Sequence, residues 1–217
     1  MNIVPTKLRY YTDKGAAIRG VIHVGMSWGE EIADYLAFGA THVIGFEPIK
    51  NAWKEAVKLY GNDERVLLVN LALGNDDKLS EMTIVDDKEP MVGHPVGTGG
   101  SSFFEEITKP EGTPERYVYG KQEFGILRFT SWLEQHTGIN PADYNALVID
   151  VQGMELDVLK GFGECIEHIQ YANIECSRVP VYKGEAPAQE VVDWMVAHGF
   201  TQDTPIEDHN DILFSRH

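Results

Sequence analysis

FTQDTPIEDHNDILFSRH, residues 200–217, reads as two strands joined by a polar turn. The turn is short and holds no helix, so the two strands must run antiparallel. The chain before it has a different rhythm. GVIHVG (20–25), the segment 42–47 and RVLLVN (65–70) are apolar runs without alternation, as strands buried on both faces should be. Between them lie two helical segments. EEIADYLAFG follows Gly29 and ends on Gly39, with Ile32, Tyr35, Leu36 and Phe38 mostly on one face; Asn51 to Leu59 carries Ala52, Trp53, Ala56, Val57 and Leu59. This is β-α-β-α-β, which implies a parallel sheet with right-handed crossovers.

The second half repeats that rhythm. NALVIDV (145–151) and YANIEC (171–176) read as core strands, with a helix over MELDVLKGFGECIEHI between them and another over AQEVVDWMVAHGF after them. Earlier, FGILRFTSWLEQH (124–136) reads as a strand running into a short helix. The middle is irregular: a polar turn and a short strand, MTIV, occupy 75–85. Residues 86–120 then hold Pro90, Gly93, Pro95, Gly97, Gly99 and Gly100 in close succession, which predicts a long lid-like loop. A parallel α/β sheet that closes in an antiparallel hairpin departs from the plain dinucleotide-binding fold. It points to the fold of S-adenosylmethionine-dependent methyltransferases.

Composition narrows the function. The 217 residues suit one domain spanning 1–217, and 43% hydrophobic with 24% charged residues is ordinary for a globular protein. No run reaches the roughly 18 apolar residues of a membrane helix, and no secretory leader is evident, so a cytoplasmic protein is expected. A formal charge of −16, from 18 Lys+Arg against 34 Asp+Glu, argues against nucleic acid and anionic membrane as partners. Cys165 and Cys176 lack zinc spacing and read as small buried thiols. Oligomeric state is open, a homodimer being one option.

Three positions carry chemistry. The loop VIHVGMSWGEE (21–31) offers Gly25 and Gly29 but neither G-x-G-x-x-G nor a Walker lysine, so a pyrophosphate site is not indicated. Gly25 does permit a tight turn that a ligand can approach. Glu47 lies 47 − 25 = 22 residues further on, at the end of the adjacent strand. An acid about 20 residues after the loop accepts hydrogen bonds from ribose hydroxyls in nucleotide-binding α/β folds. Asp150 ends a core strand, where open α/β sheets put their ligands, and Gly153 permits the turn that follows. Asp150 also reads as a cap for the next helix.

The segments VIHVGMSWGEE, VIGFEP, VNLALGN, GGSSF and VIDVQGMELDVLKGF, with ANIECSRVPVYKG after them, resemble the FkbM-like methyltransferases over roughly residues 19–215. That resemblance implies an α/β class I methyltransferase (Rossmann-like) fold, a mostly parallel seven-stranded sheet ending in an antiparallel hairpin. It also implies methyl transfer from S-adenosyl-L-methionine to a hydroxyl of a small molecule or glycan. On this reading Gly25, with His23 and Ser27 beside it, holds the methionine portion. Glu47 takes the ribose, and Asn70, Leu71 and Ala72 lie along the adenine. Ser101 and Ser102 lie near the active site, and Asp150 faces the methyl-transfer centre. Two residues depart from the family pattern: His23 stands where an acid is usual, and Gln152 where Glu is usual.

The candidate bases for a hydroxyl proton are Asp150, Glu175, His94 and His209. Asp150 and Glu175 end neighbouring strands, so their carboxyls can approach. Two hard oxygens there could hold Mg²⁺, although no third ligand is evident in the sequence. Trp28, Phe103 and Phe104 flank the expected cleft, and Tyr182-Lys183 follows Glu175. Two other readings stay open: a non-catalytic nucleoside-binding or scaffold protein that keeps the fold, and an NAD-linked oxidoreductase, which the missing glycine fingerprint disfavours.

Overall fold

The computed structural model describes residues 8–87, 101–106 and 116–216. In chain order the elements are α1 (Arg9–Thr12), β1 (Gly20–Val24), α2 (Ile32–Ala37), β2 (His42–Phe46), α3 (Lys50–Tyr60), β3 (Val66–Val69), β4 (Ala72–Leu73), β5 (Lys78–Asp87), β6 (Arg116–Leu127), α4 (Phe129–Glu134), β7 (Ala146–Ile149), α5 (Glu155–Phe162), β8 (Tyr171–Ser177), α6 (Ala188–Ala197), β9 (Thr201–Gln202) and β10 (His209–Ser215). A seven-stranded sheet has the order β3-β2-β1-β7-β8-β10-β9. Its first five strands are parallel, and β10 runs antiparallel to both β8 and β9. The closing antiparallel pair is thus where the tail sequence puts it.

The central strands are buried on both faces, which is why their sequences do not alternate. Alternation of side chains still divides the core in two. Ile22, Val24, Leu147, Ile149 and Ile174 pack against the helical residues Phe129, Trp132, Phe162 and Val191. Val21, Val43, Ala146 and Val148 belong to a second cluster with Leu8, Tyr11, Ile32, Tyr35 and Ala56. Across the first cluster Phe129 and Phe162 stack with ring centroids 4.3 Å apart and planes 8° from parallel. At the sheet's far side Arg216 donates to the carbonyls of Ile166 and Ile169, at 2.7 and 2.8 Å.

Two expectations need correction. The helix after Gly29 covers only Ile32–Ala37, and Glu30 and Glu31 lie in the turn before it. The irregular middle is more ordered than its glycines suggest. The short strand MTIV is part of β5, and residues 116–120, read as loop, belong to β6. These strands pair antiparallel from Lys78↔Ile126 to Asp87↔Arg116, with a register shift after Ile84. With β4 they form a separate three-stranded sheet. Leu79, Val118 and Tyr119 are exposed. Much of this ribbon rests on no core, so its sequence lacks the alternation that reveals a half-buried strand. The rest of the lid-like loop, 88–100 and 107–115, lies outside the described residues.

Truncating Phe162 in Phe162→Ala should lower folding stability by about 3–5 kcal/mol, the usual loss for a buried aromatic, read as a lower urea midpoint. Leu79→Lys, on the exposed ribbon, should stay within about 0.5 kcal/mol of the parent.

Candidate functional site

The site begins where β1, β2 and β7 end. Gly25 has φ +83°, and its amide donates to the Phe46 carbonyl at 2.9 Å. A Cβ at this position would lie 1.8 Å from the Asp150 carbonyl oxygen. Only glycine fits, on both counts. The loop then turns through Ser27, at φ +51°, whose amide points to Glu47.

Glu47 is 5% exposed. Its Oε2 accepts from the Ser27 amide at 3.0 Å and its Oε1 from the Ile49 amide at 2.7 Å. Burial pushes its carboxyl up to about 8; the two amide bonds oppose this, and Glu30 adds to it. Glu30 is exposed as a residue, and desolvation of its carboxyl by the loop around it raises its pKa. The acid that ends β2 is thus held by backbone dipoles. Each oxygen keeps lone-pair capacity for a further donor. The Asn70 side-chain amide donates to the carbonyls of Glu47 and Pro48, both at 2.8 Å, and so braces this turn.

The β7 end is built around a turn in which Gln152 (φ +55°) and Gly153 (φ +109°) both have left-handed backbone. Gln152 Nε2 donates to Asp150 Oδ1 at 2.7 Å and to Glu175 Oε2 at 2.6 Å. Gln152 Oε1 accepts from the Tyr182 hydroxyl at 2.9 Å. Asp150 is exposed, yet desolvation by the surrounding protein, then the charge of Glu175 and a hydrogen bond to it, raise its carboxyl; the Gln152 bond pulls the other way. Glu155, at the start of α5, accepts from the Gly153 amide at 2.9 Å, and burial pushes it up to about 7. Behind Asp150, His209 Nε2 lies 3.4 Å from Glu175 Oε1, and its Nδ1 lies 2.8 Å from the Ser177 hydroxyl. The bond to Glu175 raises the imidazole's pKa.

Between these ends is a cavity of about 100 Å³. Gly25, Ser27, Glu47, Leu71, Ala72 and Asp150, all named from sequence, line it together with Ser101 and Phe103. Asn70 lies beside it, in a depression shared with Leu71 and Ala72. Ser102 is not in the wall: its hydroxyl donates to the Gln152 carbonyl at 2.6 Å and accepts from the Phe104 amide at 3.0 Å. Glu175 meets the cavity only through Gln152 and Asp150. Trp28 and Phe104 are not among its lining residues. His94 lies outside the described residues.

His23 is also absent from the wall. Alternation along β1 sends its side chain to the face covered by α2, where Nδ1 lies 3.1 Å from the Tyr35 hydroxyl. That hydroxyl also donates to Glu31 at 2.9 Å. Burial lowers the imidazole's pKa. Sequence reasoning noticed Gln152 only as a departure and gave it no role. Its contacts span three strand and loop segments, and no local pattern encodes them. Gln152 itself lines the cavity, and Met82, Ile49 and Met154 add to the wall from the small sheet and two turns. Among the described residues no group of three His, Cys, Asp or Glu side chains could hold a metal ion, so Asp150 and Glu175 remain a pair. No described helix is long and apolar enough to cross a membrane.

A family model described as "Methyltransferase FkbM domain" matches residues 15–201. No curated protein sequence matches the chain. Among solved structures, an rRNA methylase from Streptococcus thermophilus is 9% identical, with a TM-score of 0.49 over 100% of this chain and 98% of that one. Magnesium protoporphyrin IX methyltransferase from Synechocystis PCC 6803, with bound SAM, is 9% identical, with a TM-score of 0.49 over 97% and 76%. TrmK from M. capricolum, in complex with S-adenosyl-homocysteine, is 11% identical, with a TM-score of 0.48 over 99% and 70%. At such distances the substrates of those proteins stay with them.

The raised carboxyls fix a sign. Glu47 and Glu155, both buried, have folded values of about 8 and 7, above an unfolded value of about 4.3. Their favourable contribution is complete below that unfolded value and is lost as pH rises through 7 to 8. The lowered His23 acts below about pH 6.5, outside this window. Cofactor-free protein should therefore have a lower urea midpoint at about pH 8.5 than at about pH 6.5. Glu47→Gln should make that difference smaller.

Proposed function

Because the chain belongs to the FkbM methyltransferase domain family, we propose that it transfers a methyl group from S-adenosylmethionine to a hydroxyl of a small molecule or glycan. S-adenosylmethionine is the cofactor of this family, and when bound it supplies an electrophilic methyl whose sulfur leaves neutral, so no acid is required. One observation carries the reading. A single cavity brings together a side-chain-free turn at Gly25, an acid with free lone pairs at Glu47 and a carboxyl of raised pKa at Asp150. These suit an uncharged ribose diol and a cationic amino-acid end on one ligand.

The chain's own residues then have distinct tasks. Glu47 accepts from the ribose hydroxyls, two bonds of roughly 0.5–1.5 kcal/mol each. Gly25 and Ser27 let the ligand approach the backbone. Leu71 and Ala72 give an apolar surface for the base. Asp150 stands at the cavity wall as the group to take the acceptor's proton, its carboxyl raised from the usual range. Holding the acceptor in line supplies at most about 7–11 kcal/mol. The non-catalytic reading drew on His23, whose ring contacts Tyr35 and does not line the cavity.

Glu47→Ala should weaken S-adenosylmethionine binding, measured by calorimetry, by about 1–3 kcal/mol; parental affinity would remove the ribose role. Asp150→Asn should reduce transfer of labelled methyl to a panel of hydroxylated small molecules and glycans by about 100-fold or more. A change confined to thermal stability would make Asp150 a structural residue instead.

A further inference from the structure

We propose that Gln152 is a positioning residue. Its side-chain amide, aimed by the Tyr182 hydroxyl, ties Asp150 to Glu175 and so holds Asp150 in one orientation at the cavity wall, ready for the cationic part of the cofactor. The proposal rests on the S-adenosylmethionine reading and goes beyond it by giving Gln152, Glu175 and Tyr182 a part in binding.

The need comes from where Asp150 stands. It lines the cavity but is exposed, at the end of a strand whose own four residues are buried. An exposed carboxyl gets little orientation from packing. Ordering it beforehand lowers the entropic cost of engaging a ligand. Strand register brings an anchor within reach: Ile149 pairs with Ile174, so Asp150 and Glu175 are the next residues on neighbouring strands. Two carboxylates so placed repel unless a donor lies between them. Gln152 Nε2 has two hydrogens and two acceptors, Asp150 Oδ1 at 2.7 Å and Glu175 Oε2 at 2.6 Å. The oxygen of the same amide accepts from the Tyr182 hydroxyl at 2.9 Å. Reversing the amide would set that oxygen against two carboxyl oxygens, so its orientation is fixed.

The backbone shows that the side chain is what this position supplies. Gln152 has φ +55°, a conformation that glycine or asparagine takes at less cost. Glycine carries no amide, and asparagine is a methylene shorter. The turn is held from outside. The Ser102 hydroxyl donates to the Gln152 carbonyl at 2.6 Å, and Glu155 Oε1 accepts from the Gly153 and Val151 amides at 2.9 and 3.4 Å. Left-handed backbone over-determined in this way is typical of ligand sites. Tyr182 is buried, and its ring packs on the same turn: a Cβ on Gly153 would lie 3.2 Å from Tyr182 Cδ2. Its hydroxyl is therefore a fixed point. The other oxygen of Glu175, Oε1, lies 3.4 Å from His209 Nε2, so the anchor is itself held.

Calorimetry with two ligands separates this role from a structural one. S-adenosylmethionine carries the sulfonium and the amino-acid end; methylthioadenosine carries the same nucleoside with neither. The parent should bind the first more tightly. In Gln152→Met, which keeps the length and loses the amide, that preference should fall about tenfold, while methylthioadenosine affinity stays within about twofold of the parent's. Tyr182→Phe should lower the preference in the same sense, by less. No preference in the parent, or one unchanged in Gln152→Met, overturns the proposal. An equal loss with both ligands also overturns it and makes Gln152 a structural residue. Should Gln152→Met fail to fold, NMR of the parent decides. The two side-chain amide hydrogens of Gln152 should lie downfield and exchange slowly with water; one should move in Asp150→Ala and the other in Glu175→Ala. Hydrogens that exchange as in a free amide overturn the tether. Each of these results, with ligand bound by the parent, leaves the cofactor reading intact. A parent that binds neither ligand removes that reading and this role with it.

Discussion

The closest constraint in the molecule is the contact between the backbone of Gly25 and the carbonyl of Asp150. A single methyl group at position 25 would collide with that oxygen. Because β1 and β7 are parallel neighbours, this contact fixes how closely their tips converge. Glu47 is tied to the same point through the Ser27 amide, and Gln152 is tied to it through Asp150. The cavity is the space left between groups whose positions all derive from that approach.

A second theme is how an acidic chain handles buried acid. Glu47, Glu155 and Glu185 are each 8% exposed or less, and the bonds that hold them come from backbone amides. Amide dipoles lessen the cost of desolvation without cancelling it, so Glu47 and Glu155 rise in pKa instead of being neutralised by a cation. Glu47 and Glu155 are therefore neither firmly charged nor firmly neutral near physiological pH. A ligand that brings hydroxyl donors or positive charge can set their state.

Legibility in the sequence followed burial. The central strands could be read because both of their faces are covered, and a continuous apolar run is unambiguous. Gly25, Glu47 and Asp150 could be read because each lies at a strand tip, a position the pattern locates. The β5–β6 ribbon could be read only in part, at MTIV and from residue 124, since exposed side chains such as Leu79 and Tyr119 follow no period. His23 shows a further limit: it lies beside the glycine loop in sequence, yet alternation turns it to the opposite side of the sheet. Gln152 marks the reverse case, since its partners Glu175 and Tyr182 are distant in sequence and only the assembled fold brings them to it.

The strand order has a consequence for how the protein is made. β10, the last strand in sequence, lies inside the sheet between β8 and β9. A chain still emerging from the ribosome can pair β1, β2, β3, β7 and β8, but the flank of β8 stays open until residues 209–215 are out. That flank has unpaired amides and carbonyls and is prone to pairing with another chain. His209 arrives on the same segment, so Glu175 gains this neighbour only once β10 has paired with β8.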